Sequence, residues 1–170
     1  MRRPEKSEYA EFYTGYIDSV PEADVLSVLR EQADELSSVF GNIPEERGNY
    51  AYQNGKWTVK QLLGHLIDGE RVFGYRLHRF SHGDPTPLAG FDQDVFVTNG
   101  RSNVRSIADL LDEFITQRRS NLALIASLSD EDWDLRGTAS GAEVTVRALA
   151  FIMAGHVRHH LRIINERYLS

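Results

Sequence analysis

The sequence predicts an all-α protein that folds as a four-helix bundle. Four long segments repeat apolar residues at the period of an amphipathic helix, and each opens with a recognisable start signal. No alternating strand pattern competes with them, beyond short apolar pieces in one loop. A chain of 170 residues is the size of one ordinary domain, so we expect residues 1–170 to form a single bundle domain.

The first long helix is predicted over residues 19–40. Ser19 and Glu22 lie three residues apart, which is typical of a capping box, and Pro21 between them is tolerated in a first helical turn. Residues 7–18 are rich in aromatic side chains and are expected to add a short N-terminal helix. This segment would therefore precede the four long helices.

The second long helix is predicted over residues 58–80. Thr58 and Gln61 have the spacing of a capping box, in which each side chain bonds the backbone N–H at the other's position. Trp57 precedes the cap and is placed to pack against Leu62 as a hydrophobic staple. The start of this helix is therefore more sharply defined by the sequence than its end.

A long loop is expected between the second and third helices, over residues 81–103. It is dense in Gly, Pro, Asp and Asn and lacks a helical period. Asp92 and Asp94 could line the mouth of a site, although closing a local turn is the favoured interpretation. The loop also carries enough apolar residues to pack over one end of the core: Leu88, Phe91, Val95, Phe96 and Val97.

The last two helices complete the expected bundle. One opens at Ser106 and ends near Leu128, and the other opens at Thr145 and continues to about Tyr168. The beginnings of the second and fourth helices, TVKQLLGH and TVRALAF, look alike. We attribute this to the repeated use of good N-cap residues rather than to duplication.

Composition excludes several classes of function. The chain has 41% hydrophobic and 26% charged residues, with no run approaching the ~20 apolar residues of a membrane span. No secretion signal is recognisable at the start, so a cytoplasmic location is expected. The net charge of −6 disfavours nucleic-acid binding. The lack of cysteine excludes disulfides, thiolate metal sites and cysteine nucleophiles, so any metal would need His and carboxylate ligands.

Three histidines form the candidate metal site. His156 and His160 are one turn apart near the apolar face of the last helix, a spacing at which two imidazoles can reach one ion. His65 lies on the flank of the apolar stripe of the second helix and would meet His160 at a similar height if the helices run antiparallel. The alternative is that these rings are core residues bonded to protein neighbours. His159 is interpreted as a boundary residue.

The other histidines and the nearby carboxylates have less specific patterns. His78 and His82 are interpreted as surface or loop-packing residues, with substrate contact as the less favoured alternative. Asp68 follows His65 by three residues and is the candidate catalytic residue, either as a general base or as a hydrogen-bond partner of a ligand ring. A solvated helix carboxylate is an equally good interpretation of Asp68.

The order of these motifs resembles the DinB-like superfamily, including its YfiT-like metal-dependent branch. The resemblance runs from about Glu22 to the end and rests on WTVKQLLGHLIDGER, GDPTPLAGFDQDVFV, TVRAL and AGHVRHHLR. It implies a bundle with up-down-down-up connectivity, a homodimer, and a divalent metal ion, often nickel or zinc. The metal ligands that the resemblance implies in this chain are His65, His156 and His160.

The resemblance also narrows the expected chemistry. Its members include S-transferases and an isomerase that use bacillithiol, mycothiol or similar low-molecular-weight thiols. Three neutral imidazoles leave room beside a dication for a water or a small thiol to be activated. The first expectation is a small-thiol-dependent S-transferase acting on a small-molecule substrate, with the thiol as a cosubstrate because the chain has no cysteine. The alternatives are a metal-dependent hydrolase and a noncatalytic metal-binding or structural bundle.

Overall fold

The protein is mostly helical, with one small hairpin. The computed structural model describes residues 2–169. The helices and strands are α1 (Thr14–Asp18), α2 (Val25–Gly41), α3 (Val59–Ser81), α4 (Gln93–Asn99), α5 (Ile107–Ala126), β1 (Arg136–Ala139), β2 (Ala142–Thr145) and α6 (Val146–Arg167). Single 3₁₀ turns occupy Lys6–Glu8, Glu11–Tyr13, Glu45–Arg47, Ser102–Val104 and Asp132–Asp134.

Four long helices form the body of the protein, as the periodicity predicts. Helices α2 and α3 each pack against both α5 and α6, and α1 packs against α6. Most of α6 is buried from Val146 to Leu161, so this helix is surrounded by the rest of the bundle. The up-down-down-up connectivity stays a prediction. None of the helices within residues 2–169 is both long and apolar enough to cross a membrane.

Three of the four predicted N-caps are confirmed. The Thr58 hydroxyl accepts a bond from the Gln61 N–H at 3.1 Å, and the Gln61 side chain accepts one from the Thr58 N–H at 2.9 Å. Ser106 and Thr145 cap α5 and α6 by accepting one bond each, from the Asp109 and Ala148 N–H groups. The sequence therefore fixes where α3 and α6, the helices that carry the three histidines, begin.

The predicted start of the first long helix is wrong. Helix α2 begins at Val25, and Asp24 rather than Ser19 accepts the capping bond, from the Ser27 N–H at 3.3 Å. The Ser19 hydroxyl instead donates to the Tyr16 carbonyl at 2.6 Å and closes α1. Glu22 is held by an ion pair with Arg158 of α6, a contact that local spacing does not reveal.

The segment 81–103 contains more structure than predicted. Helix α4 spans seven of its residues, and the Asp92 carboxylate caps this helix by accepting bonds from the Asp94 and Val95 N–H groups. The turn-forming role favoured for Asp92 is therefore confirmed. Leu88 forms a parallel bridge with Ala139 of β1, so the loop is joined to the hairpin by backbone hydrogen bonds.

The structure contains a β-hairpin that the predicted all-α fold lacks. Strands β1 and β2 pair antiparallel, with Arg136 opposite Thr145. Ser140 and Gly141 join them with φ values of 53° and 80°, the pair of positive angles that suits a two-residue hairpin turn. Strands of four residues are too short for a clear alternating pattern, which explains why the sequence did not predict them.

A buried polar network ties α2, α3 and α5 together. Arg118 of α5 donates to both carboxylate oxygens of Glu70 on α3, at 2.6 and 3.0 Å. It also donates to the Gln32 side chain and the Leu29 carbonyl on α2. Asn121 donates to Glu70 at 3.0 Å. Both buried charges in this network are paired and hydrogen-bonded, so it links three helices, and loss of one partner would leave the other charge buried alone.

Removal of the Arg118 charge should strongly destabilise the fold. Arg118→Met leaves the Glu70 carboxylate buried without its cation, so we expect a loss of about 3–5 kcal/mol in the free energy of unfolding. The adjacent, exposed Arg119 is the control, and Arg119→Met should change stability by less than about 0.5 kcal/mol. Urea unfolding followed by circular dichroism measures both. Equal, small effects would show that the ion pair does not hold the helices.

Candidate metal centre

The three predicted histidines meet in the structure. His65 comes from α3, and His156 and His160 come from consecutive turns of α6. One ring nitrogen from each lies within 4.8 Å of the others, and the Nε2 atoms of His65 and His156 are 2.9 Å apart. Nitrogens bound about 2.0–2.1 Å from one ion lie at most about 4.2 Å apart, so the His65–His156 pair fits a shared ion and the whole cluster comes close to that range.

Burial keeps all three rings neutral at pH 7. Their exposed fractions are 4%, 5% and 7% for His65, His156 and His160. Burial lowers the pKa of His65 to about 4 and that of His160 to about 2. Burial and the neighbouring His160 and His65 rings hold the pKa of His156 well below its usual range. Neutral imidazoles present the lone pairs that a metal ion requires.

The hydrogen-bonding of the cluster is incomplete. Nδ1 of His65 and Nδ1 of His160 are buried and find no hydrogen-bond partner among residues 2–169. Buried polar atoms are normally paired, and unpaired ones carry a desolvation cost. The cluster therefore does not fit the alternative in which each ring is bonded to a protein neighbour. Three neutral, converging nitrogen donors without a carboxylate fit a divalent transition metal ion.

Two glycines allow the rings and helices to approach this closely. A Cβ atom at Gly69 of α3 would lie 2.7 Å from Cε1 of His156, so the imidazole occupies space that any other residue would fill. A Cβ at Gly155 of α6 would lie 2.2 Å from the Tyr16 carbonyl oxygen, where α1 crosses α6. Both glycines therefore leave the space that the site needs, and no motif in the sequence indicates this role.

Aromatic rings surround the cluster. The Trp57 ring lies 4.7 Å from the His65 ring, and both Trp57 and Leu62 border the cavity next to His160. The Tyr16 ring packs edge-on against His156 at 5.6 Å, and burial raises the pKa of its phenol. Tyr16 is thus a protonated hydroxyl beside the histidines, and the sequence identified it only as part of an aromatic-rich segment.

Two cavities reach the cluster from different sides. A cavity of about 370 Å³ is bordered by His65 and His156, and we call it the inner cavity. The other, of about 380 Å³, is bordered by His160 and the exposed Asp94, and we call it the outer cavity. The Asp94 charge acts on His65 in the direction that raises its pKa, against the larger effect of burial. Asp94 therefore lies near the histidines, although it belongs to the short helix α4.

Asp68 lies away from both of these cavities. It borders a third cavity with Arg71 and Glu113, where burial raises its pKa and the Arg71 charge opposes this. The helical geometry explains the difference, because the residue four after His65, Gly69, shares its side more closely than the residue three after it. The catalytic role of Asp68 stays a prediction.

The remaining histidines lie outside the cluster. His159 is half-buried with its ring 4.9 Å from that of His160, which agrees with a boundary position. His78 and His82 are exposed, and their tilted rings lie 4.4 Å apart, as expected for surface residues at the end of α3. None of these three belongs to the group of converging ligand atoms that residues 2–169 form.

The fold and the site define a helical-bundle protein with a buried three-histidine cluster. The chain belongs to the DinB superfamily, because the sequence model of that superfamily matches residues 29–164. This confirms the resemblance stated from the motifs. A comparison with the curated proteins finds no match.

Solved structures share the fold at low sequence identity. YfiT from Bacillus subtilis, described as a probable metal-dependent hydrolase with an unusual four-helix bundle topology, matches with a TM-score of 0.80 and 18% identity, over 98% of this chain and 91% of that one. A mycothiol-dependent maleylpyruvate isomerase matches with a TM-score of 0.70 and 15% identity, over 88% of this chain and 62% of that one. The likeness to YfiT supports the four-helix bundle.

Substitution of Gly69 should disturb the cluster. Gly69→Ala would force a methyl group against the His156 ring, and we expect this overpacking to destabilise the protein by about 1–3 kcal/mol, partly offset by the better helix propensity of alanine. Gly41 at the end of α2 has open space around it, so Gly41→Ala is the control and should be close to neutral. Urea unfolding of both variants, with imidazole NMR signals of His156, checks this. Unchanged signals in Gly69→Ala would contradict the close contact.

Proposed function

We propose that this protein is a metal-dependent enzyme in which His65, His156 and His160 hold a divalent cation, nickel or zinc. The observation that carries the proposal is the convergence of three buried, neutral imidazoles whose ligand atoms lie within 4.8 Å of one another. A set of three protein ligands is typical of catalytic sites, because structural zinc sites normally close all four positions with protein groups.

We propose that the reaction transfers a small thiol to a small electrophilic molecule. When bound to three neutral imidazoles, a divalent cation keeps its positive charge and lowers the pKa of a thiol or water beside it. In the transfer, the thiol loses its proton, its sulfur forms a bond to the electrophilic carbon, and the leaving group departs with the bonding electron pair. The mycothiol dependence of the structurally similar isomerase supports a thiol as cosubstrate.

The two cavities support a reaction with two substrates. His65 and His156 face the inner cavity and His160 borders the outer cavity, so two small molecules can approach the cluster from separate sides. Tyr16 and Phe73 pack against His156 and restrict water on the inner side. Asp94 offers a carboxylate on the outer side that can accept a proton.

Metal-assisted hydrolysis is the second candidate. It is favoured by the likeness to YfiT, which is described as a probable metal-dependent hydrolase and aligns with 98% of this chain. The same cluster would then activate water instead of a thiol. We further propose, from the family resemblance and composition, a cytoplasmic homodimer that acts on a small molecule and binds neither nucleic acid nor membrane. Asp68 is retained as a proposed base.

Metal content tests the site directly. Protein purified without a His tag and supplied with nickel or zinc should hold about one equivalent, whereas His65→Asn and His156→Asn should hold less than about a tenth. His159→Asn is the matched control, since His159 neighbours His160 but lies outside the cluster. Mass spectrometry of the metal content measures all four proteins. Failure of the wild type to bind either metal would reject the proposal and both enzymatic candidates.

Thiol dependence separates transfer from hydrolysis. With metal bound, consumption of an electrophile such as monochlorobimane should require an added low-molecular-weight thiol, and His156→Asn should lower kcat/KM by at least about 100-fold. A panel of thiols with this electrophile, and p-nitrophenyl acetate without thiol, gives the comparison. Ester cleavage that is metal-dependent and indifferent to thiol would favour hydrolysis. Metal binding that stabilises the protein without turnover of either kind would favour the noncatalytic alternative.

A further inference from the structure

A buried arginine in the wall of the inner cavity lacks a counter-charge. Arg76 is 3% exposed and borders the inner cavity together with His65 and His156. The other buried cations among residues 2–169 are all paired with carboxylates: Arg118 with Glu70, Arg147 with Glu8, and Lys60 with Glu45. No carboxylate in this described part of the chain forms an ion pair with Arg76.

The existing contacts of Arg76 orient it and leave most of its donors free. Its Nη2 donates to the Ser140 hydroxyl at 2.8 Å and to the Ala89 carbonyl at 3.2 Å. Ser140 lies in the hairpin turn with a φ of 53°, and Ala89 follows the loop residue that bridges to β1. Nε and Nη1 make no hydrogen bond to the described residues, yet neither is among their buried unpaired atoms. These two groups are therefore accessible to a ligand.

The charge of Arg76 is not balanced elsewhere in the cavity wall. No aspartate, glutamate or lysine among the described residues borders the inner cavity, whose other walls are mainly aromatic and aliphatic, with neutral histidines. An unpaired buried cation costs several kcal/mol unless a ligand or water compensates it. A single guanidinium facing an otherwise uncharged cavity matches one negative charge, and its planar donors suit a carboxylate.

The position of Arg76 sets the size of the ligand. His65, Gly69, Phe73 and Arg76 form one stripe of α3 along the inner cavity. The His156 ring lies level with Gly69, and Arg76 follows seven residues later, about 10 Å further along the helix. A cavity of about 370 Å³ accepts a molecule of this length with an apolar middle.

We propose that the inner cavity binds a small molecule with a carboxylate at one end, held by Arg76, and an apolar part that extends toward His65 and His156. The carboxylate subsite is inferred only from the burial of Arg76 and its lack of a paired carboxylate. The assignment of the opposite end as the reacting end rests on the proposed function. The ligand is therefore an organic monocarboxylate, either the electrophile or the thiol cosubstrate.

A pair of matched probes tests the subsite. Metal-free protein is titrated by calorimetry at neutral pH with 4-phenylbutanoate and with its uncharged amide, 4-phenylbutanamide. The acid should bind at least about 10-fold more tightly than the amide, because only the carboxylate forms a bidentate, charge-assisted pair with the guanidinium. Arg76→Met should remove this preference and leave amide binding unchanged. Equal binding of the two probes by the wild type, or no binding of either, overturns the proposal.

Two further variants locate the effect. Arg76 also borders a groove on the outside of α3 together with the exposed Arg71, so Arg71→Met is the control and should keep the preference for the acid. Loss of the preference in Arg71→Met would place the probe in that groove and overturn the proposal. If Arg76→Met does not fold, Arg76→Lys is used instead. Lysine keeps the positive charge but lacks the planar, bidentate donors of arginine, so acid binding should weaken several-fold. Unchanged acid binding in folded Arg76→Lys also overturns it.

In metal-free protein, carboxylate binding by Arg76 is measured independently of metal binding by the histidines. Carboxylates bind metal ions directly, so a bound metal would hide the contribution of Arg76. If the protein binds no metal but still prefers the acid through Arg76, only the proposed function fails. The phosphonate analogue, 3-phenylpropylphosphonate, completes the series. Tighter binding of this tetrahedral anion than of 4-phenylbutanoate would overturn the assignment to a monocarboxylate.

Discussion

The close contact between α3 and α6 is the constraint on which the rest of the structure depends. It brings His65 to His156 and His160 in a space too buried for any of the three rings to be protonated at pH 7. Gly69 makes the contact possible, because the His156 ring occupies the place of a side chain. A polar cluster inside a bundle would ordinarily weaken the fold, and the convergence of three buried, neutral ring nitrogens fits a set of metal ligands.

The bundle compensates for this cluster with charge pairing elsewhere. Arg118 and Glu70 form a fully bonded pair between α5 and α3, and Gln32 extends it to α2. This network joins α3 to α5 and α2, and α3 also packs against α6, so His65 sits on a helix that is held by several neighbours. Arg76 departs from the pairing pattern, and it does so in the wall of the inner cavity. Incomplete pairing thus coincides with the candidate site.

The loop and the hairpin complete the site from outside the bundle. The hairpin turn at Ser140 and the loop at Ala89 both accept hydrogen bonds from Arg76, and α4 carries Asp94 to the outer cavity. Helix α1 adds Tyr16 against His156 on the inner side. The four long helices therefore supply the metal-ligand candidates, and the shorter elements supply the walls of the cavities and their charge.

The sequence by itself determined the four long helices, the caps at Thr58, Ser106 and Thr145, and the shared face of His156 and His160. These features depend on local spacing, which a helix converts directly into a shared face or a bonded end. Only the tertiary structure decided that Glu22 pairs with Arg158 rather than capping α2, that Asp68 turns to a cavity away from the histidines, and that Ser140 closes a hairpin. The Glu22 contact joins residues far apart in the chain and overrides local preference. Asp68 follows the turn of α3 to another cavity, and the hairpin strands are too short for a clear alternating pattern.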